Sequence, residues 1–163
     1  MFRDYLCGSL DTALNRLLQV TSVFKNNLYS SLSSPRFHNS QLTQSEAKKF
    51  CENEQQTPAR LIEIDSSEEN SAINAEIKRR NFASQKVEFW LGITDRHLEG
   101  HWVLESTTKP VVFTNWSSGE PNNSGNPGHE NCAHISTWNY KWNDRKCSHK
   151  TGNGWIRTAL CEM

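Results

Sequence analysis

The chain has 163 residues, and its 18 Lys and Arg balance 18 Asp and Glu, so the formal net charge is zero. That balance leaves no basic excess for nucleic acid and no acidic tail, and no stretch approaches the ~20 apolar residues of a membrane-spanning helix. The length suits one ordinary domain with an N-terminal extension.

Residues 1–32 contain no Trp, Pro or His, and Leu6, Leu10, Ala13, Leu17, Val20 and Phe24 recur alternately four and three apart. This a/d stripe of about three heptads predicts a helical segment. It reads either as an amphipathic helix packed on the domain or as a short coiled-coil neck joining copies of the chain through residues 6–28. Arg3 and Asp4 could head a secretory leader, but Asn15, Arg16 and Gln19 interrupt the apolar run a leader needs, so no signal segment is expected to be visible. Ser30 to Pro35 reads as a linker, and the main domain is expected over 33–163.

Thr43-Gln44-Ser45-Glu46 is a capping box, and Ala47, Phe50 and Cys51 behind it predict a helix over about 43–54, ended by Pro58. Leu61 to Ile64 predicts a short strand. Ser66 with Glu69 repeats the capping signal, with Ala72, Ile73, Glu76 and Ile77 continuing a second helix to about Arg80. Phe89 to Ile93 has the unbroken apolar character of a buried strand. Trp102–Leu104, Val111–Phe113, Ala133–Ile135 and Ile156–Cys161 are further strand candidates. Between Trp116 and Glu130 the chain is almost all Gly, Pro, Ser and Asn, a loop too long for a plain hairpin and of the kind that carries function.

The five cysteines are Cys7, Cys51, Cys132, Cys147 and Cys161. None forms a CxxC pair, so a zinc ribbon or redox motif is not expected. Two bridges and one leftover thiol fit the count and imply an oxidising compartment, though counting does not fix the pairing.

The chemistry gathers at Glu120-Pro121-Asn122 and Asn143-Asp144, each a carboxylate beside a carboxamide. A hard cation such as calcium takes about six to eight oxygens from carboxylates, amide carbonyls and water. An Asn that lends its carbonyl oxygen keeps an NH2 to donate, and a neighbouring carboxylate keeps a lone pair to accept. Such a pairing matches two adjacent hydroxyls of a sugar. No Ser-His-Asp or Cys-His arrangement has a supporting context. Glu120 and Glu130 could in principle flank a glycosidic bond, but the adjoining Asn122 and Asn143 favour coordination over catalysis, so no enzyme activity is expected.

Taken in order, these signals resemble the C-type lectin-like domain family. The elements that carry the resemblance are the helix bearing Cys51, a second helix, Trp90-Leu91-Gly92-Ile93, Glu120-Pro121-Asn122, Cys132, Trp142-Asn143-Asp144, Cys147 and Cys161, spread over about residues 36–163. The resemblance implies an α+β fold of two helices and short antiparallel sheets with a long calcium-binding loop, stabilised by disulfides Cys51–Cys161 and Cys132–Cys147. Cys7 is then an unpaired thiol or an interchain bridge. The resemblance also implies that Trp90, Trp102, Trp116 and Trp142 are packing residues.

For the site, the resemblance implies a principal Ca2+ held by Glu120, Asn122, Glu130, Asn143 and Asp144, with a cis Glu120–Pro121 bond, and sugar bound by Glu120, Asn122, Glu130 and Asn143. An auxiliary Ca2+ is suggested at Asp95, Glu99, Asn123 and Asn131, where Asn131 stands in place of the family's usual Asp. The Glu-Pro-Asn order implies glycans with equatorial vicinal hydroxyls, as in mannose, N-acetylglucosamine, glucose and fucose. The alternative is a lectin-like domain that binds a protein, ice or a mineral without sugar. His101 and His129 are possible edge contacts or simply loop histidines. The expected location is extracellular, secreted or as the ectodomain of a membrane protein.

Overall fold

The computed structural model describes residues 41–53, 59–124, 129–149 and 154–162. The expected neck over 1–32, Cys7, Pro58 and residues 125–128 of the long loop lie outside these.

Both helices start where the capping signals put them. Helix α1 (Gln44–Asn53) is preceded by Thr43, whose Oγ1 accepts from Glu46 N at 3.2 Å while its own N–H donates to Glu46 Oε2 at 2.7 Å, a closed capping box. Strand β1 (Arg60–Leu61) follows. Helix α2 (Ser67–Arg79) has Ser66 as N-cap, accepting from Glu69 N at 3.3 Å. The return bond is displaced by one residue, because Glu69 Oε2 accepts from Asp65 N at 3.2 Å. Arg80 caps the C-terminus.

Strand β2 (Val87–Thr94) is buried at every position, as its unbroken apolar run predicts for a central strand. Strand β4 (Cys132–Ser136) lies antiparallel along one edge of β2, and β5 (Lys141–Arg145) pairs antiparallel with β4. On the other edge, β6 (Ile156–Ala159) runs parallel to residues 87–90 and β3 (Val103–Leu104) runs antiparallel to Ile93 and Thr94. Strand β7 (Cys161–Glu162) pairs with β1 in a separate two-stranded sheet.

Three strand expectations need correction. The Leu61–Ile64 run pairs in a ladder only at its first residue, joined by Arg60; beyond it Ile62 N bonds Leu160 O and Glu63 N bonds the Glu162 side chain. The Val111–Phe113 run is not a strand. The chain meets β3 through a single bridge, Val103 with Pro110, flanked by Leu104 N bonded to Lys109 O at 2.9 Å and Val111 N bonded to Trp102 O at 3.0 Å, and the pairing stops there. Val112 is 84% exposed while Val111 and Phe113 lean on the core. Ile156–Cys161 is broken at Leu160 into two strands in different sheets. The β2–β6 pair also makes the main sheet mixed rather than wholly antiparallel.

The core has two parts. Ile73 and Ile77 of α2 pack with Phe82, Phe89, Leu91, Ile93, Ile135 and Trp142. Leu42, Ala47 and Cys51 pack with Leu61, Trp90 and Cys161. Trp90 and Trp142 are fully buried, and Trp102 and Trp116 lean on the first cluster, so all four expected packing tryptophans pack; Trp138 is exposed. Trp90 Nε1 reaches Leu42 O at 2.8 Å, tying the start of the described chain to the central strand.

Cys51 bonds Cys161, 110 residues away, and Cys132 bonds Cys147, 15 residues away. The loop-entropy account gives the long closure about 4.7 kcal/mol and the short one about 3 kcal/mol. Both bridges call for an oxidising compartment.

Gly92 has a steric task. A Cβ there would stand 2.9 Å from Leu61 O and 2.9 Å from Glu63 Cγ. Neither neighbour can yield easily, because Leu61 is paired in β1 and the buried Glu63 carboxylate is fixed by Ser106 N at 2.7 Å. Gly92→Ala is expected to cost about 1–3 kcal/mol, the usual size of an overpacking penalty, read as a lower urea midpoint. An unchanged midpoint would mean that the two strands separate freely at this point.

Candidate functional site

The site is built where the long loop runs back along β5. Trp142 N donates to Asn115 O and Ser117 N to Trp142 O, both at 2.8 Å, so residues 115–117 lie beside the strand. Lys141 Nζ grips Asn115 Oδ1 at 2.6 Å, and Asn115 Nδ2 reaches Tyr140 O at 3.0 Å. The rings of Trp102 and Trp116 are 4.7 Å apart and those of Trp116 and Trp142 5.6 Å, a stack that anchors the loop base in the core. The chain then turns at Gly119, whose φ of +84° suits glycine, with Glu120 N bonded to Ser117 O at 3.0 Å. The Glu120–Pro121 peptide is cis.

This path sets Glu120, Asn122 and Asn123 against Asp144. Asp144, 1% exposed, accepts from Asn122 N at 3.2 Å through Oδ1 and from Asn123 N at 2.7 Å through Oδ2. Asn122 Oδ1 accepts from Ser124 N at 2.8 Å and keeps a second lone pair. Asn123 Oδ1 accepts from Glu130 N at 3.0 Å, and Glu130 Oε2 accepts from Ser124 N at 2.9 Å. On the adjoining strands, Ala133 is paired with Asp144 and His134 with Asn143, while the Cys132–Cys147 bridge ties the start of β4 to the loop after β5.

Glu120 Oε2 in this cluster and Asn143 Oδ1 on the residue before Asp144 are both buried without a hydrogen-bond donor. The Glu120 carboxyl is pushed up to about 7, first by desolvation and then by the Asp144 carboxylate beside it; Arg145 opposes the shift. Two carboxylates packed together, one of them with a donorless oxygen, call for either a proton or a cation between them. The donor set is all hard oxygen, which suits calcium rather than zinc or copper. Among the described residues, no three Asp, Glu, His or Cys side chains are grouped to hold a cation by themselves. A coordination sphere here would have to draw on amide oxygens as well, for which Asn122 Oδ1 and Asn143 Oδ1 are the candidates.

The proposed auxiliary set is divided. Asp95 Oδ1 accepts from Asn131 Nδ2 at 3.1 Å and Oδ2 from Gly100 N at 2.9 Å, so both oxygens brace protein. Asn123 belongs instead to the cluster around Asp144 and Glu130. Glu99 is exposed; its carboxyl is raised by desolvation and then by the charges of Asp95 and Asp144. His101 and His129 are exposed loop residues.

The sequence reading overlooked Arg145, whose Nη1 stands 3.4 Å from Glu130 Oε1. The signal was the two-residue period of β5, which puts Lys141, Asn143 and Arg145 on one face. It also overlooked Arg96, which touches both Cys132 Sγ at 3.0 Å and Cys147 Sγ at 3.2 Å.

A family model described as the Lectin C-type domain matches residues 40–162. A perlucin-like protein of Mytilus galloprovincialis is 37% identical over 89 residues, 54% of this chain and 54% of its own length. Pulmonary surfactant-associated protein D of Sus scrofa is 37% identical over 99 residues, 60% of this chain and 23% of its own. The chain thus spans about half the length of the first and about a quarter of the second. The carbohydrate-recognition domain of the mouse scavenger receptor C-type lectin superposes with a TM-score of 0.54 and 31% identity, covering 66% of this chain and 75% of that one. That of cow CD23, solved in the presence of GlcNAc2Man3 oligosaccharide, gives 0.54 and 32% over 67% and 74%. No helix among the described residues is long and apolar enough to cross a membrane. Domains of this kind are non-enzymatic and generally bind carbohydrate and Ca2+, in secreted proteins or membrane ectodomains. The fold, the two disulfides and the family match agree: this chain belongs to the C-type lectin domain family.

Proposed function

We propose that the chain is a calcium-dependent carbohydrate-binding domain for sugars with two adjacent equatorial hydroxyls, the mannose, N-acetylglucosamine, glucose and fucose class, displayed on extracellular or microbial-surface glycans. The observation that carries this reading is Glu120 Oε2, buried without a donor beside the Asp144 carboxylate; Asn143 Oδ1, on the preceding residue of β5, is likewise buried without a donor. Glu120, Asn122, Glu130, Asn143 and Asp144 would hold the ion. Calcium, when bound, supplies coordination positions that two neighbouring sugar hydroxyls fill. The chain's own part is to orient them: the Asn122 and Asn143 NH2 groups donate, and the Glu120 and Glu130 carboxylates accept. The reading centres on this ion; Asp95 does not decide against a second one, because each of its oxygens accepts one protein N–H and keeps a lone pair, as each Asp144 oxygen does.

The Glu120-Pro121-Asn122 order supports the mannose class. The cow CD23 domain, similar in fold and 32% identical, was solved with a mannose-containing oligosaccharide. A single diol contact is small, so affinity for a free monosaccharide is expected near the millimolar range. The test is retention on mannose–agarose in calcium with release by EDTA, read beside a galactose column. Retention that ignores EDTA would favour the sugar-independent alternative, and absence of retention on either column in calcium would overturn the proposal.

A further inference from the structure

Arg145 faces the candidate site from within the chain. It sits on β5 opposite Cys132, on the same face as Asn143. Its side chain is 36% exposed, whereas that of its partner Glu130 is 7% exposed. Glu130 is therefore fully provided for: one oxygen has Ser124 N at 2.9 Å, the other has the guanidinium at 3.4 Å. Glu120 Oε2 and Asn143 Oδ1 have no donor at all. The three carboxylates are divided, one neutralised by an internal cation and two left facing each other.

We propose that Arg145 is a built-in competitor for Glu130, a positioning residue that holds this carboxylate while the site is empty and lowers the site's affinity for calcium. The inference rests on the calcium reading given above. A carboxylate oxygen committed to a guanidinium is withdrawn from a metal, and a guanidinium that stays in place opposes a divalent ion by charge. Both routes weaken binding, so the calcium concentration at which the site fills is set in part by one residue outside the expected ligand set. The Arg145 Nε is buried without an acceptor, and among the described residues Glu130 is the side chain its guanidinium pairs with.

The test compares wild type with R145M, which keeps the aliphatic stem, and R145K, which keeps the charge, in the full oxidised chain. Calcium affinity is read by calorimetry, and stability without calcium is read by thermal unfolding in EDTA. R145M is expected to bind calcium roughly tenfold tighter than wild type, the scale of a unit charge facing a divalent one at close range, and to unfold at a lower temperature in EDTA because Glu130 has lost its counter-charge. R145K stays near wild type. An arginine that merely supports the fold would lower both quantities together. If R145M does not fold, R145Q replaces it in the comparison. Wild type that binds calcium with R145M equal or weaker overturns this inference alone, and wild type that takes up no calcium overturns the site reading and this inference with it.

Discussion

Replacing Glu120 by Gln is expected to weaken calcium binding by about a hundredfold or more and, with no calcium present, to make the protein more stable above neutral pH. The two effects have one cause. Glu120 is desolvated and stands against Asp144, and its carboxyl is pushed up to about 7. An acid whose pKa is raised by folding contributes stability below its ordinary value, near 4.5, and that contribution is lost as pH rises through the folded value. In EDTA, wild type should therefore lose stability between about pH 5 and pH 8, as the proton shared by the pair departs. Glu120→Gln keeps the shape and removes the repulsion, so it should not show this loss. Because solvent reaches the site, the difference is discounted to about 1–2 kcal/mol at pH 8.

Calcium is expected to reverse the slope. The ion binds the deprotonated form, so its affinity should fall as pH drops below about 7, and loading at neutral pH should release protons. Titration calorimetry in two buffers of different ionisation heat measures that release. Urea unfolding in EDTA at pH 5.5 and pH 8 measures the stability slope. If E120Q at pH 8 in EDTA is no more stable than wild type, the carboxylate pair is not the unbalanced element described here.

How much of this was legible in the sequence depended on the range of the interaction. Thr43 with Glu46, and Ser66 with Glu69, are local, and both helix starts followed from them. The buried run of β2 was legible because a central strand needs no partner pattern to look apolar. What failed was non-local. The pairing of Val111–Phe113 stops after the Val103–Pro110 bridge and its flanking bonds, and only the sheet order shows that this edge of β2 is already shared by β3 and β6. The Glu120–Asn122 and Asn143–Asp144 clusters were visible as residue types. Their meeting depends on the Asn115–Trp142–Ser117 backbone bonds, which no spacing announces. Asp95 and Asn131 were grouped by residue type as possible ligands, and it is the irregular register of β2 and β4 between Trp90 and Thr94 that brings them to each other. Arg145 was passed over because a charged residue at a strand end ordinarily reads as a solvated one.

Replacing Arg157 by Met is the substitution expected to cost the fold most. Arg157 on β6 bonds Glu88 on β2 at 2.7 Å, with the two side chains 6% and 10% exposed. Burial is the largest influence on each partner: it raises the Glu88 carboxyl and lowers the Arg157 guanidinium, and their mutual attraction only partly opposes this. The pair is thus a weak source of net stability, yet a severe liability when halved. Arg145 also lowers the Glu88 carboxyl, but less than Arg157 does and without a hydrogen bond to it. His134 Nδ1 is 3.7 Å from Glu88, but burial and then the positive charges of Arg157 and Arg145 hold its pKa well below the usual range, so the ring is neutral. The guanidinium also lies over the Trp90 ring at 5.5 Å, a contact Met keeps only in part. Arg157→Met should lower the unfolding free energy by about 3–5 kcal/mol at pH 7.5, and the Glu88→Leu, Arg157→Met double variant should regain most of it. The sign with pH follows from Glu88. Its raised carboxyl loses Arg157, the stronger of the two charges that lower it, and keeps only the weaker pull of Arg145, so the single variant suffers more as pH rises and less near pH 5, where the carboxyl holds its proton. Equilibrium urea unfolding of the three proteins at pH 5 and pH 7.5 reads each difference. A double variant no more stable than the single one would show that Arg157 acts through packing on Trp90 and not as the counter-charge of a buried carboxylate.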